Sequence, residues 1–183
     1  GIEALGAFRR VERTKVGSPH VIAAMEQAMK NGGTVIGFEA NGGTMLGTDI
    51  EVEGRHLSRL PTRDAILPIL CVLATAARDK RSIAEVVNNL PLKPAASDRL
   101  QDVPTERTTA LTAGLSNGPG YADEFFWGIG EVDSVSTIDG PRVTLKSGDV
   151  IHYRASGNAP ELRCYVEGKT AERAEMLLRW GLD

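Results

Sequence analysis

The sequence is poor in the residues that usually announce chemistry. It has only 2 cysteines, 3 histidines and 5% aromatics in 183 residues. Cys71 and Cys164 stand far apart in apolar surroundings, without CxxC spacing or a nearby histidine, so they read as two reduced core thiols of a cytoplasmic protein. His20 lies at a helix start, His56 in a charged loop and His152 in a strand, and no two are spaced as metal ligands. Neither sign of charge dominates: 21 Lys and Arg stand against 24 Asp and Glu. That balance excludes a protein held by the phosphates of a long nucleic acid but leaves room for a small phosphorylated ligand. No apolar run reaches the ~20 residues of a membrane span, and Gly1-Ile2-Glu3-Ala4-Leu5 lacks the regions of a signal peptide. With no methionine at its start, the chain is expected to begin partway through a longer protein. GxSxG, HExxH, the P-loop and DxDxD are all missing.

The patterning predicts two domains, 1–91 and 92–183. The first reads as a partial α/β domain with a mixed sheet and helices. Residues Phe8 to Thr14 suggest a short strand entering a Lys15-Val16-Gly17-Ser18-Pro19 turn. Ser18 is placed as a helix cap, with Val21, Ile22, Met25, Ala28 and Met29 at helical spacing behind it. A buried strand, Thr34 to Phe38, then runs into the loop Glu39-Ala40-Asn41-Gly42-Gly43. Thr62 is expected to cap a second helix, kinked at Pro68 and apolar enough on most faces to be central to the core. A third helix spans Ser82 to Asn89. Leu90 to Ser97, with two prolines, reads as an interdomain connector.

The second domain reads as α+β, with a mostly antiparallel four-stranded sheet and two helices on one face. One helix falls between Pro104 and Gly114, followed by a loop through Asn117-Gly118-Pro119-Gly120. Strands are predicted at Val132 to Ile138, Arg142 to Leu145, Val150 to Ala155 and Glu161 to Glu167, with turns at Asp139-Gly140 and Ser147-Gly148. Thr170 caps the last helix, whose buried stripe is Ala171, Ala174, Leu177 and Leu178.

Two loops can carry chemistry. In Arg154-Ala155-Ser156-Gly157-Asn158-Ala159-Pro160-Glu161-Leu162-Arg163, a small-residue bend joins two strands that each bring an arginine. Backbone N–H groups, the Ser156 hydroxyl and the Asn158 amide can converge on an anion that Arg154 grips with a bidentate fork. The plainer alternative is a hairpin turn whose polar residues satisfy only their own backbone. In Gly37-Phe38-Glu39-Ala40-Asn41-Gly42-Gly43, a carboxylate and an amide follow a buried strand, where α/β sheets hold ligands. Glu39 is suited to accept hydrogen bonds from sugar hydroxyls. The alternative is a glycine-rich turn with a solvated glutamate.

Together with Arg13-Thr14-Lys15-Val16-Gly17 and Thr62-Arg63-Asp64-Ala65-Ile66-Leu67, these loops resemble the α-D-phosphohexomutase family in its bacterial phosphomannomutase/phosphoglucomutase branch. The resemblance spans the chain and places it as the carboxyl-terminal half, domains three and four, with domain three incomplete at its start. It implies sugar binding by Glu39, Asn41 and Gly42. It also implies phosphate binding by Arg154, Ser156, Gly157, Asn158 and Arg163, with Lys15 and Ser18 as further substrate contacts. The family's phosphate loop has the form Arg-x-Ser-Gly-Thr-Glu-Pro, so Asn158 and Ala159 stand where it has Thr and Glu.

The resemblance further implies a hexose phosphate substrate, a reaction through a phosphoserine and a hexose bisphosphate, and Mg2+. Its phosphoserine segment and its acidic metal loop have no match here, so this chain alone is expected to hold no catalytic residue or metal ligand and to be inactive. Mannose phosphates are the expected substrates, with glucose phosphates as an extension. The rivals are a stand-alone phosphosugar-binding or protein-interaction module, and a mutase for an amino-sugar phosphate.

Overall fold

Two units divide the chain in the computed structural model, Gly1–Pro91 and Leu92–Asp183, and the residues described are 1–117, 119–157 and 159–183. In the first unit, Val21 and Met25 lie one turn apart on helix α1 (Ser18–Met29) and are both buried. Five short strands follow: β1 (Ile36–Phe38), β2 (Thr44–Leu46), β3 (Ile50–Val52), β4 (Arg55–Leu57) and β5 (Leu60–Asp64). The strands β1, β2 and β5 make one sheet in the order β1-β2-β5, and β3 and β4 make a separate hairpin. Helix α1 presses on β1 at Gly37, where a Cβ would collide with the Met25 sulfur and come within 2.6 Å of Val21. Val21, Met25 and Met45 form this unit's buried cluster.

This half departs from the sequence reading in several ways. Residues 8–14 form no strand; their charges are engaged locally instead, Arg10 with Glu12 at 2.7 Å and Arg13 with Glu3 at 2.7 Å. The sheet is antiparallel throughout its pairings rather than mixed. Thr62 lies inside β5 and caps nothing; Asp64 takes that role, accepting from the amides of Ile66 at 2.7 Å and Leu67 at 3.2 Å. Pro68 falls in the first turn of α2 (Ile66–Asp79), where a missing N–H costs no helical bond, and the helix runs through it unbroken.

The largest departure concerns α2 itself. Ile66, Ile69, Leu70, Val72 and Leu73 are exposed, and only Ala76 is buried. The core has gathered on α1 and β2 instead, so the apolar content of α2 exceeds what this small sheet covers. Cys71, on the same helix, is exposed rather than a core thiol. His56 lies in β4, paired with Glu51, and not in a loop. Helix α3 (Ile83–Asn88) follows its sequence signal: Ser82 and Glu85 form a reciprocal capping box.

The second unit begins with β6 (Ala95–Leu100), followed by α4 (Thr105–Ser116), α5 (Pro119–Phe125), β7 (Val132–Ser136), β8 (Arg142–Leu145), β9 (Val150–Ala155), β10 (Leu162–Glu167) and α6 (Ala171–Leu182). Its sheet is antiparallel in the order β6-β10-β9-β8-β7. Among the described residues it therefore has five strands and three helices, where the sequence predicts four and two. Residues 95–97, read as connector, belong to β6, and the supposed loop at 119–120 opens α5.

Strand alternation places Leu162, Cys164 and Val166 on one face with Ile151, Tyr153, Val143 and Leu145. The helices cover that face with Leu115, Ala122, Ala174 and Leu177. The Tyr153 hydroxyl donates to the Gly181 carbonyl at 2.9 Å. Burial raises the pKa of Tyr153 and pushes the Cys164 thiol up to about 12.

Thr170 caps α6 as the sequence indicates, accepting from the Arg173 amide at 3.2 Å. The Arg173 guanidinium donates to Asp149 Oδ2 at 2.9 Å and to the Ile129 carbonyl at 3.0 Å. Burial works against charge on Asp149, but hydrogen bonds from Arg173 and Ser147 outweigh it and hold the carboxyl below its ordinary pKa. Among the described residues no helix is long and apolar enough to cross a membrane.

Candidate functional site

The face of the second sheet opposite its core is where the charged side chains collect. Residues directly opposed across antiparallel strands project to the same side. Arg163 on β10 is opposed by Arg99 on β6 and by Arg154 on β9, which sets three arginines in one row. In the next row Tyr165 is opposed by Ser97 and His152, and His152 by Arg142. The rings of His152 and Tyr165 lie 5.7 Å apart.

Like charges placed opposite one another are destabilising unless something offsets them. Glu161 offsets two of the three. It lies 3.2 Å from Arg99 Nη1 and 3.5 Å from Arg163 Nη2, with its own side chain only 11% exposed. Asp139 stands 3.0 Å from Arg154 Nε. That ion pair is close without being aligned as a hydrogen bond, so Asp139 Oδ2 is buried with no N–H or O–H donor among the described residues. Arg142 lies 3.8 Å from Glu167.

His152 Nε2 is 2.8 Å from the Asp139 carbonyl, an atom that can only accept, so Nε2 carries the proton. Burial holds the imidazole below its ordinary pKa, against the opposing pull of that hydrogen bond. His152 is therefore a neutral spacer among the arginines near pH 7.

The bend between β9 and β10 is closed by backbone bonds. The Ser156 amide donates to the Glu161 carbonyl at 3.0 Å, and the Glu161 amide donates to the Ala159 carbonyl at 2.8 Å. Pro160 accepts from the Val103 amide at 3.0 Å. Gly157 is exposed at the bend and Ser156 half-buried, while Asn158 lies outside the described residues. The structure thus brings Arg154, Ser156 and Arg163 to one end of the sheet. It also supplies a carboxylate there, from Glu161, although Ala159 stands where the resembled loop has its glutamate.

The other loop sits in the first unit. The Glu39 amide donates to the Gly43 carbonyl at 2.9 Å and the Gly42 amide to the Glu39 carbonyl at 3.0 Å, while Asn41 Oδ1 accepts from the Gly43 amide at 3.0 Å. The Glu39 side chain is 6% exposed, so it is not the solvated carboxylate of the plainer reading. Its oxygens accept from the Gly17 amide at 3.1 Å and the Ser18 hydroxyl at 3.4 Å, and Arg63 Nε stands 3.6 Å away.

Ser18 is accordingly not the cap of α1. Gly17 holds the cap position at φ 124°, a backbone conformation that favours glycine, and Ser18 points its hydroxyl at Glu39. Glu39 supplies negative charge at the positive end of the helix. Lys15 lies two residues ahead of Gly17 with its side chain exposed.

Arg99, Asp139 and Glu161 were not singled out from the sequence as candidate side chains, because strand register and long-range pairing are invisible in it. The one usable signal is the two-residue spacing of Ser97, the last residue read as connector, and Arg99 just beyond it, which β6 places on one face. Among the described residues no three His, Cys, Asp or Glu side chains cluster to hold a metal.

The family model described as phosphoglucomutase/phosphomannomutase, alpha/beta/alpha domain III, matches residues 3–93. The model for the phosphoglucomutase/phosphomannomutase C-terminal domain matches residues 84–178. A phosphomannomutase of Sinorhizobium fredii is 45% identical over 183 residues, covering 100% of this chain and 38% of that relative. One from Salmonella muenchen is 42% identical over 168 residues, covering 91% of this chain and 35% of that relative. A probable phosphoglucosamine mutase of Methanothermobacter thermautotrophicus is 29% identical over 181 residues, covering 96% of this chain and 34% of that relative. The chain thus spans little more than a third of the length of the curated relatives it matches.

Proposed function

The chain belongs to the phosphoglucomutase/phosphomannomutase family, and on that premise we propose that the longer protein carrying it interconverts mannose 6-phosphate and mannose 1-phosphate. On this reading the two units are the substrate-binding half of the enzyme. The phosphoserine and Mg2+ belong to domains outside this chain. The observation that carries the proposal is the placement of Arg154 and Arg163 directly opposite each other at the ends of the strands that flank the Ser156-Gly157 bend.

Phosphoryl transfer needs little covalent work from the protein and much positioning. The phosphoserine donates its phosphoryl group to the free hydroxyl of the sugar phosphate, giving a bisphosphate. That intermediate turns end for end and returns a phosphoryl group from its other position. Whichever phosphate is not reacting is held by Arg154, Arg163, Ser156, Gly157 and Asn158. Glu39, Asn41 and Gly42 hold the sugar hydroxyls in either orientation, with Lys15 and Ser18 beside them. A carboxylate offers about four acceptor positions, so Glu39 keeps acceptor capacity beyond its bonds to Gly17 and Ser18. Binding energy gathered at the remote phosphate orients the reacting end. The exposed apolar residues of α2 fit contact with further parts of the same protein, and the free thiols fit a cytoplasmic location.

The test is direct. The intact protein, given mannose 6-phosphate and a catalytic amount of hexose bisphosphate, should yield mannose 1-phosphate by phosphorus NMR. Glucose and glucosamine phosphates run alongside as competing substrates. Interconversion of none of them overturns the proposal, and faster turnover of an amino-sugar phosphate moves it to that substrate. The 183-residue chain alone should show no turnover.

A further inference from the structure

Resting on the phosphate site proposed above, we infer that Arg99 is its third phosphate-binding arginine, so that the site spans three strands rather than one loop. The ligand class is the dianionic phosphate monoester of a sugar. Arg99 is opposed to Arg163 in the β6–β10 register, as Arg154 is in the β9–β10 register, so all three side chains rise from the open face of the sheet.

Nothing in the packing asks for an arginine at that position. The Arg99 side chain is 50% exposed, and on the opposite face of β6 it is Ala96, opposed to Val166, that packs against the core. Three adjacent guanidiniums share two carboxylates, Glu161 and Asp139. The row therefore retains positive charge that a second negative group at the sheet end would neutralise.

The contact geometry leaves Arg99 able to serve two partners. A guanidinium carries five N–H donors, and Arg99 meets Glu161 through Nη1 alone, at 3.2 Å and 3.4 Å from its two oxygens. Glu161 belongs to the same bend that joins β9 to β10. It thereby holds the Arg99 head beside the mouth of the loop. If Arg99 served only as a counterion for Glu161, its loss would change stability and leave phosphate affinity untouched.

The experiment measures binding of inorganic phosphate and of mannose 6-phosphate to the intact protein by calorimetry, for wild type, Arg99→Gln, Arg99→Lys and Arg154→Ala. Arg99→Gln should weaken both ligands by the same factor, about five- to twenty-fold, because the lost contact is to phosphate and not to sugar. Arg99→Lys should recover part of that loss, since the charge returns without the planar fork. Affinity within twofold of wild type for Arg99→Gln, with Arg154→Ala clearly weakened, overturns the inference and leaves the phosphate site standing. Wild-type affinity in both variants means that the site itself is misassigned.

Labelling of wild-type arginines with phenylglyoxal gives a second reading that needs no variant to fold. Inorganic phosphate should slow modification of Arg99 along with Arg154 and Arg163. Protection of the latter two without Arg99 overturns the inference.

Discussion

Glu39 accepts a hydrogen bond from the Gly17 amide at 3.1 Å, across 22 residues of sequence. That contact ties the loop after β1 to the first turn of α1, so a residue read as a ligand for sugar also fastens its own unit together.

Glu39→Gln removes a buried negative charge from the positive end of a helix and weakens the bonds from Gly17 and Ser18. A loss of about 1–2 kcal/mol is expected. It should appear in the 183-residue chain as a lower urea midpoint with unchanged slope, and as faster amide exchange at the start of α1. In the intact protein the same variant should blunt discrimination among hexose phosphates while sparing affinity for inorganic phosphate. An unchanged midpoint contradicts the tether, and equal losses for both ligands contradict the sugar role.

The two thiols should behave differently in the 183-residue chain. Cys71 is exposed and Cys164 buried, so Ellman's reagent should titrate one thiol at once and the second only after unfolding. Because the folded-state pKa of Cys164 is pushed up to about 12, the unfolded chain loses this proton first as pH rises. Stability contributed by the neutral thiol is present below the unfolded pKa of about 8.5 and declines above it. Tyr153, shifted in the same direction, adds to the decline from about pH 10. Immediate reaction of both thiols contradicts the packing of β10 against α6.

Asp149 links the β8–β9 turn to α6 through Arg173. Its folded pKa is depressed, so its stabilisation is present above the unfolded value of about 3.9 and is lost as pH falls through the folded value. Asp149→Asn should cost about 1.5–3 kcal/mol at pH 7, and this charge-dependent cost should vanish once the Asp149 carboxyl of the wild type is protonated in the folded and unfolded states alike. An equal cost at both pH values contradicts the charge argument.

Much of the second unit was legible because its signals are local. The alternation of Leu162, Cys164 and Val166, the Thr170 cap and the glycine turns at 140 and 148 each act within a few residues. What was hidden depends on partners distant in sequence. The row Arg99–Arg163–Arg154 exists only through the pairing of three strands, and the first half of β6, residues 95–97, reads as connector because it follows Pro91 and Pro94 in the stretch Leu90 to Ser97. Glu39 found its partners at Gly17 and Ser18, which no spacing rule connects. Helix α2 misled in the opposite sense. Its apolar residues are those of a buried helix, yet burial depends on whether neighbouring elements reach it, and within this unit α1 and β2 take that place.

The central claim is that Arg154 anchors the non-reacting phosphate, and steady-state kinetics of Arg154→Ala in the intact protein test it most directly. The account predicts that kcat/KM for mannose 6-phosphate falls about 30- to 1000-fold, equivalent to ~2–4 kcal/mol of lost transition-state stabilisation, with KM rising as kcat drops. Kinetic constants indistinguishable from wild type would contradict it.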